Sequence, residues 1–284
     1  MRGMHNRGED PLTSIIDTYF LKRDEATERL QTYEVSLVDR LRPPGRLSPS
    51  SLGGCMRMAA FRYVGMQGRV KKDPQRELIF DEGNWHHAKW QYRMQDAELV
   101  LGSDTIQVLG CEENITIPEL YISGYYDNWL RLQLENGRKR NFVIDYKSIN
   151  DNGYGWVSRS DEPIPEHVKQ LTTYGKGLGA KWGIILYDNK NNQDFKVFVI
   201  KFENATWMEV ADWCEEVLAQ LNEEKLPPMS PDCNAGTFLY NKCPYAHHCY
   251  GTASTVKIRR KMYRDFPGVE VAWNEGNRLA DSTP

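Results

Sequence analysis

Apolar positions Ile15, Ile16, Tyr19 and Phe20 recur at helical spacing and predict a helix from Asp10 to about Arg42, closed by Pro43-Pro44-Gly45. Ser48-Pro49-Ser50-Ser51 then offers N-cap residues ahead of Leu52, Cys55, Met58, Ala59 and Phe61. A longer helix is predicted from near Arg76 to Leu99, through Leu78, Phe80, Trp85 and Ala88. From Asp104 the period changes to two: Ile106 and Val108, then Ile115 and Ile117, alternate with polar residues as in strands. Tyr121–Leu134 and Lys139–Ser148 read as strands flanking Asn136-Gly137, a hairpin signal. Pro165 opens a helix through Val168, Leu171, Tyr174 and Leu178. Trp182–Tyr187 and Phe195–Phe202 predict a second hairpin around Asn191-Asn192. Ala205–Leu226 is an amphipathic helix that Pro227-Pro228 ends, ahead of a cysteine-rich loop.

The segment Asn141–Ser148 is the most informative. Phe142, Val143 and Ile144 mark a buried strand, yet Asp145 and Lys147, two residues apart, point to one of its faces. Burying an acid and a base is costly unless they have a use. The hairpin register decides what stands beside them. A two-residue loop at Asn136-Gly137 sets Asp127 opposite Tyr146. A three-residue loop, Glu135-Asn136-Gly137 with a left-handed glycine, sets Asp127 opposite Asp145 on the same face. Joint action by the two carboxylates requires the second register, or a bulge that restores it. Two adjacent carboxylates repel, and a divalent cation such as Mg2+ or Mn2+ relieves the conflict.

Composition narrows the setting. The 284-residue chain has ordinary apolar content (40%), enough for a large single core or for one core with an appended subdomain. No apolar stretch is long enough to span a bilayer, and Met1–Glu9 is polar, so a cytoplasmic protein without a membrane partner is expected. A net charge of −3 rules out a chain-wide electrostatic grip on nucleic acid; only local patches such as Lys257–Lys261 with Arg264 offer one.

Several motifs fall in one order: Ser50-Ser51-Leu52-Gly53-Gly54-Cys55-Met56-Arg57, Gly83-Asn84-Trp85-His86-His87, Gly124-Tyr125-Tyr126-Asp127, Ile144-Asp145-Tyr146-Lys147, and Gln170 with Tyr174. Together they resemble the PD-(D/E)XK nuclease superfamily, in particular its RecB-like, AddB-like branch that includes CRISPR-adaptation nucleases. The fold this implies is α/β: a restriction-endonuclease-like central mixed sheet flanked by helices, with a helical, cysteine-clustered subdomain. The resemblance implies Asp127, Asp145, Lys147, Gln170 and Tyr174 as catalytic residues. It also implies His87 (rather than His86), Asp127, Asp145 and the Tyr146 backbone carbonyl as ligands to Mg2+ or Mn2+. Gln170 and Tyr174 lie one helical turn apart and share a face.

Of six cysteines, Cys214 falls on an apolar stripe with Val210, Ala211, Val217 and Leu218 and reads as core, and Cys111 follows a strand. The family implies a [4Fe–4S] cluster held by one early and three late cysteines, here Cys55, Cys233, Cys243 and Cys249. Nine residues separate Cys233 from Cys243, where the family commonly has Cys-x-x-Cys. Structural Zn2+ is the alternative, with His247 or His248 replacing a thiolate.

The expected organisation is an N-terminal helical extension (1–47), a nuclease core (48–251) with a cluster subdomain formed by Cys55 and 227–251, and a basic tail (252–284). The expected activity is metal-dependent hydrolysis of DNA, as an exonuclease on single-stranded or resected ends. The alternatives are a structure- or sequence-specific endonuclease and a non-catalytic nucleic-acid-binding subunit. Expected partners are DNA and proteins of recombination or CRISPR adaptation, in a bacterial cytoplasm or from a phage acting there. Trp85, Tyr125, Tyr126 and Trp156 are candidates to stack on unpaired bases.

Overall fold

A computed structural model describes residues 10–23, 25–26, 44–66, 68, 74–223, 225–230, 233 and 243–250. The basic run Lys257–Lys261 with Arg264 lies outside these residues, as does the stretch 27–43 of the first predicted helix.

The chain divides into two units. The first joins Met1–Asp39, Asp73–Ile115 and Gly124–Asn204 around a five-stranded sheet in the order β1-β4-β5-β6-β7. Its strands are β1 (Ile106–Cys111), β4 (Asn128–Gln133), β5 (Lys139–Ile149), β6 (Trp182–Asn189) and β7 (Phe195–Lys201). Only β5 and β6 run parallel; the other pairs are antiparallel. The parallel step needs a crossover, supplied by helices α4 (Asp151–Arg159) and α5 (Pro165–Leu178). This is the mixed, helix-flanked sheet expected from the sequence.

Helices α1 (Pro11–Lys22) and α3 (Pro74–Leu101) pack on one face. Alternation along β5 sends Phe142, Ile144 and Tyr146 into that core, where they meet Leu12, Ile16, Trp90 and Met94. Asp145 and Lys147 take the opposite face, toward α5. There α5 lies close to the sheet because two positions lack a side chain. A Cβ on Gly183 would stand 2.6 Å from the Phe202 ring and 2.7 Å from Leu171 Cδ2, and one on Gly175 would enter the same ring. Gly183→Ala is expected to cost about 1–3 kcal/mol through overpacking, read as a lowered unfolding midpoint.

Two sequence expectations need correction. The run Tyr121–Leu134 is not one strand: it breaks at Tyr126-Asp127 into β3 (Ile122–Tyr125) and β4. β3 pairs instead with β2 (Asn114–Ile117) in a separate two-stranded sheet. The break has a tertiary cause, because Tyr126 turns inward and its hydroxyl donates to Glu113 Oε2 at 2.7 Å. Helix α4 was not anticipated; Asn150 caps it by accepting from the Gly153 N–H at 2.9 Å.

The second unit joins Arg40–Lys72, Thr116–Ser123 and Ala205–Pro284. It contains α2 (Met56–Tyr63), most of α6 (Asn204–Asn222) and α7 (Ala246–Tyr250). Arg57 Nε donates to the Pro227 carbonyl at 2.7 Å, and the Phe61 ring packs against Tyr245 and His248. Cys214 is fully buried on the α6 stripe.

Candidate active site

The hairpin loop builds the site. Leu134 N–H donates to the Arg138 carbonyl at 2.7 Å across Glu135-Asn136-Gly137, and Gly137 is left-handed (φ 77°). This is the three-residue loop, and the ladder follows its register: Asn128 faces Ile144 and Leu130 faces Phe142. One step beyond the ladder, Asp127 comes level with Asp145.

Both carboxylates are buried. Asp127 Oδ2 accepts the Tyr146 N–H at 2.7 Å, and its Oδ1 lies 3.2 Å from His87 Nδ1. Lys147 Nζ stands 2.8 Å from Asp145 Oδ2 and donates to Gln170 Oε1 at 3.0 Å. Gln170 Nε2 reaches Asp145 Oδ1 at 3.4 Å and donates to the Tyr174 hydroxyl at 3.0 Å. Every side chain anticipated for this site therefore falls in one connected group within the first unit. Tyr146 ties its two halves together through its N–H, while its ring packs on Trp90 and His87.

The two neighbouring histidines separate cleanly, since adjacent helix residues point about 100° apart. His86 faces β6: its Nδ1 lies 2.7 Å from Asp188 Oδ2, an oxygen that also accepts from Lys89 Nζ (2.8 Å) and Trp90 Nε1 (2.9 Å). Burial pushes Asp188 up, but these three donors outweigh it and hold its pKa below the ordinary value. His86 thus helps pin α3 to the sheet, and His87 is left facing Asp127.

The electrostatics set the two carboxylates apart. Burial, reinforced by Asp127 and only partly offset by Lys147, pushes Asp145 up to about 6. Burial also raises Asp127, but His87, Lys147 and the Tyr146 N–H outweigh it and hold it low. Burial works against a charge on His87, yet Asp127 and Asp145 prevail and raise its pKa. Asp145 Oδ2, although ion-paired to Lys147, receives no aligned hydrogen bond. A buried carboxylate oxygen with spare lone pairs suits a hard divalent cation, but the ligand atoms that gather within 4.8 Å of one another among the described residues are those of His87, Glu112 and Asp127, while Asp145 is turned to Lys147.

The sequence reading missed Glu112. A ligand atom each from His87, Glu112 and Asp127 lie within 4.8 Å of one another. Glu112 is left-handed (φ 54°), unusual for a residue with a Cβ. Its N–H donates to the Asp127 carbonyl at 3.2 Å, and Gln91 Nε2, one turn beyond His87, donates to its Oε1 at 2.6 Å. In sequence Glu112 is one of two acids in a turn; only the backbone twist aims it inward. Glu112→Gln is expected to weaken Mn2+ binding by about tenfold or more, measured by calorimetry, with the unfolding midpoint of the metal-free protein unchanged or raised. Cys111, next to it, is half-buried, and burial with Glu112 and Asp127 pushes its thiol up to about 11.

All four anticipated cysteines belong to the second unit. Burial pushes the Cys249 thiol up to about 11; Arg57 opposes this, while Cys243, Cys55 and Cys233 add to it. All four are free thiols, and Cys55, Cys233 and Cys243 lie within electrostatic reach of Cys249; among the described residues no three of them bring their sulfurs within 4.8 Å of one another. The His247 side chain lies outside the described residues.

Of the candidate stacking aromatics, Trp85, Tyr125 and Trp156 are exposed. Tyr126 is 1% exposed and bonded to Glu113, so it has no face to offer a base. No helix is long and apolar enough to cross a membrane among the described residues.

No protein-family model matches the chain, and no curated protein does. Among solved structures, the alkaline exonuclease LHK-Exo from Laribacter hongkongensis aligns with a TM-score of 0.41 and 18% identity over 63% of this chain and 89% of that one. The same enzyme in complex with dAMP aligns with a TM-score of 0.41 and 17% identity, with the same coverage. SSO0001 aligns with a TM-score of 0.38 and 15% identity over 86% of this chain and 98% of that one. At such distances the functional reading rests on the chain's own residues.

Proposed function

We propose that the chain is a metal-dependent deoxyribonuclease of the PD-(D/E)XK type, hydrolysing phosphodiesters at single-stranded or resected DNA ends. One observation carries this reading: the hairpin register brings Asp127 level with Asp145, with Lys147 and Gln170 bound to the latter. Asp127, Asp145, His87 and the Tyr146 carbonyl would hold Mg2+ or Mn2+, with Glu112 as a further ligand. Such an ion would supply Lewis acidity at the scissile phosphate. The chain's own groups do the rest. Lys147 presents an ammonium toward the attacked phosphate, where negative charge grows in the transition state. Gln170, fixed by Tyr174, holds Lys147 and Asp145 in register. The exposed Trp85, Tyr125 and Trp156 are available to stack on unpaired bases.

Cys55, Cys233, Cys243 and Cys249 would hold a structural [4Fe–4S] cluster, with zinc as the alternative. Hydrolysis of a phosphodiester consumes no electron, so the cluster's role is to join distant segments of the second unit.

End-labelled linear DNA, end-blocked DNA and circular single strands, each incubated with Mn2+ or with EDTA, test the activity. Loss of label from free ends only, and only with metal, is the expected result. Cutting of circles would establish the endonuclease alternative. Tight binding with no cleavage of any substrate would establish a non-catalytic binding subunit.

A further inference from the structure

The face of α5 that carries Gln170 and Tyr174 holds a third polar side chain. His167 lies one turn before Gln170 and two turns before Tyr174. Its Nδ1 is 2.8 Å from the Tyr187 hydroxyl, and the two rings pack with centroids 5.6 Å apart. Tyr187 is fully buried and pairs with Lys147 across the parallel β5–β6 ladder. This places His167 beside the ammonium end of the site.

The hydrogen bonds settle which ring nitrogen carries the proton. The Ile164 N–H can only donate, and it does so to the Tyr187 oxygen at 3.1 Å. Tyr187 is fully buried and its proton has no acceptor among the described residues but His167 Nδ1, so a proton on Nδ1 would leave the hydroxyl's own unpaired; Tyr187 therefore donates to Nδ1. Burial keeps that phenol protonated, with a pKa far above the ordinary value. Nδ1 is then an acceptor, and the proton of the neutral ring sits on Nε2. Burial, with the Lys147 charge adding to it, pulls His167 down to about 3, so the ring stays neutral at any working pH. The ring is only half-buried, and among the described residues nothing accepts the Nε2 proton. A locked donor without an acceptor, next to the group that meets phosphate, is built to receive an anionic oxygen from outside the chain.

Building on the nuclease reading, we propose that His167 is a substrate-contacting residue whose Nε2–H donates to a non-bridging phosphate oxygen of the DNA strand beside Lys147. It is a fixed donor and not a proton carrier. A neutral imidazole suits this place, where a second cation would compete with Lys147 for Asp145.

Three variants separate this role from a purely structural one. Asn at 167 retains an acceptor near the Nδ1 position for Tyr187 but lacks the distant donor; Gln places a donor near Nε2; Ala removes both. Binding is read with a labelled single-stranded oligonucleotide in Ca2+, turnover with Mn2+, and folding by thermal melts. His167→Asn and His167→Ala are expected to raise Kd and KM about tenfold, as for loss of one hydrogen bond to a charged group. His167→Gln should stay near wild type, and the pH profile should not move in any of them. In the unmodified protein, 15N-histidine NMR should show the Nε2–H tautomer unchanged from pH 8 to pH 5. An Nδ1–H tautomer, a titration near neutrality, or an Asn variant equal to wild type would overturn the proposal while leaving the nuclease assignment standing. A wild-type protein that neither binds nor cleaves DNA would remove that assignment, and this proposal with it.

Discussion

On the nuclease reading, Asp145→Ala is expected to abolish cleavage, with a loss of at least about 10³-fold in single-turnover rate, because it would remove a ligand to an ion worth several kcal/mol to the transition state. Asp145→Asn should lose activity as fully while strengthening the metal-free fold. Asp145 is 1% exposed and its pKa is raised from 3.8 to about 6, which corresponds to roughly 3 kcal/mol between protonated and ionised forms. The sign follows from that direction. The folded protein holds the proton more tightly than the unfolded chain does, so the contribution is full below pH 3.8 and is lost as pH rises through about 6. At pH 8 the metal-free wild type carries this cost and the Asn variant does not. The variant should therefore melt higher at pH 8, and the gap should close as pH falls from 6 toward 4. A lower melting point for the variant at pH 8 would mean that Asp145 serves chiefly as the partner that steadies Lys147.

The same linkage governs the cation. An ion that needs Asp145 ionised and His87 neutral must displace protons, so its affinity weakens in acid. Mn2+ at a hundredfold excess over its Kd adds about 2.7 kcal/mol to the folded state. The shift in melting point on adding Mn2+ should accordingly be large at pH 8 and small at pH 5. In Asp145→Asn it should be small at both.

How far the site was legible depended on the range of the interactions that shape it. The sequence narrowed the register to two choices because the loop is local; the left-handed Gly137 at the end of Glu135-Asn136-Gly137 decides between them and sets the pairing of every residue behind it. Once Asp127 stood opposite Asp145, period-two alternation placed Lys147 on the same face, and helical spacing placed Gln170 above Tyr174. The choice of His87 over His86 was readable only through the Gly83-x-x-x-His87 spacing; the physical reason, Asp188 capturing His86, joins two segments a hundred residues apart and leaves no local trace. The same holds for the break at Tyr126. The run Tyr121–Leu134 alternates as one strand should, and only the bond from Tyr126 to Glu113, over a glycine at 110 whose Cβ would collide with that hydroxyl, splits it. Glu112 was hidden for a related reason. A positive φ at a glutamate is disfavoured by its own chemistry and is imposed by the return of the chain beside Asp127. Helix α4 carries two glycines in nine residues, which masks its helical period.

On the proposal that Cys55, Cys233, Cys243 and Cys249 hold a metal group, replacing Cys243 with Ala should strip the second unit of that metal and of most of its folded yield. The unit gathers Arg40–Lys72, Thr116–Ser123 and Ala205–Pro284, segments separated by long stretches of chain, so closing them on one another carries a large entropic cost. The contacts that resist it include the Arg57–Pro227 hydrogen bond, the ring packing of Phe61 on Tyr245, and the bond from Trp213 Nε1 to the Gly54 carbonyl at 3.3 Å. Burial holds the Cys249 thiol up at about 11, so a metal bound there would have to displace thiol protons, and the thiolates would then cross-link Cys55 to the C-terminal cysteines. Anaerobically purified wild type should be brown, absorbing near roughly 400 nm if the group is an iron–sulfur cluster, and Cys243→Ala should be colourless, poorly soluble and lower-melting. Cys214→Ala is the control: its thiol is fully buried on the α6 stripe, so it should lose some stability to a cavity yet keep the full metal content. A colourless wild type holding one zinc per chain would assign the alternative metal and leave the cross-link argument intact. Cys243→Ala protein that is soluble and melts with the wild type, at the same metal content, would show that the thiols serve packing alone.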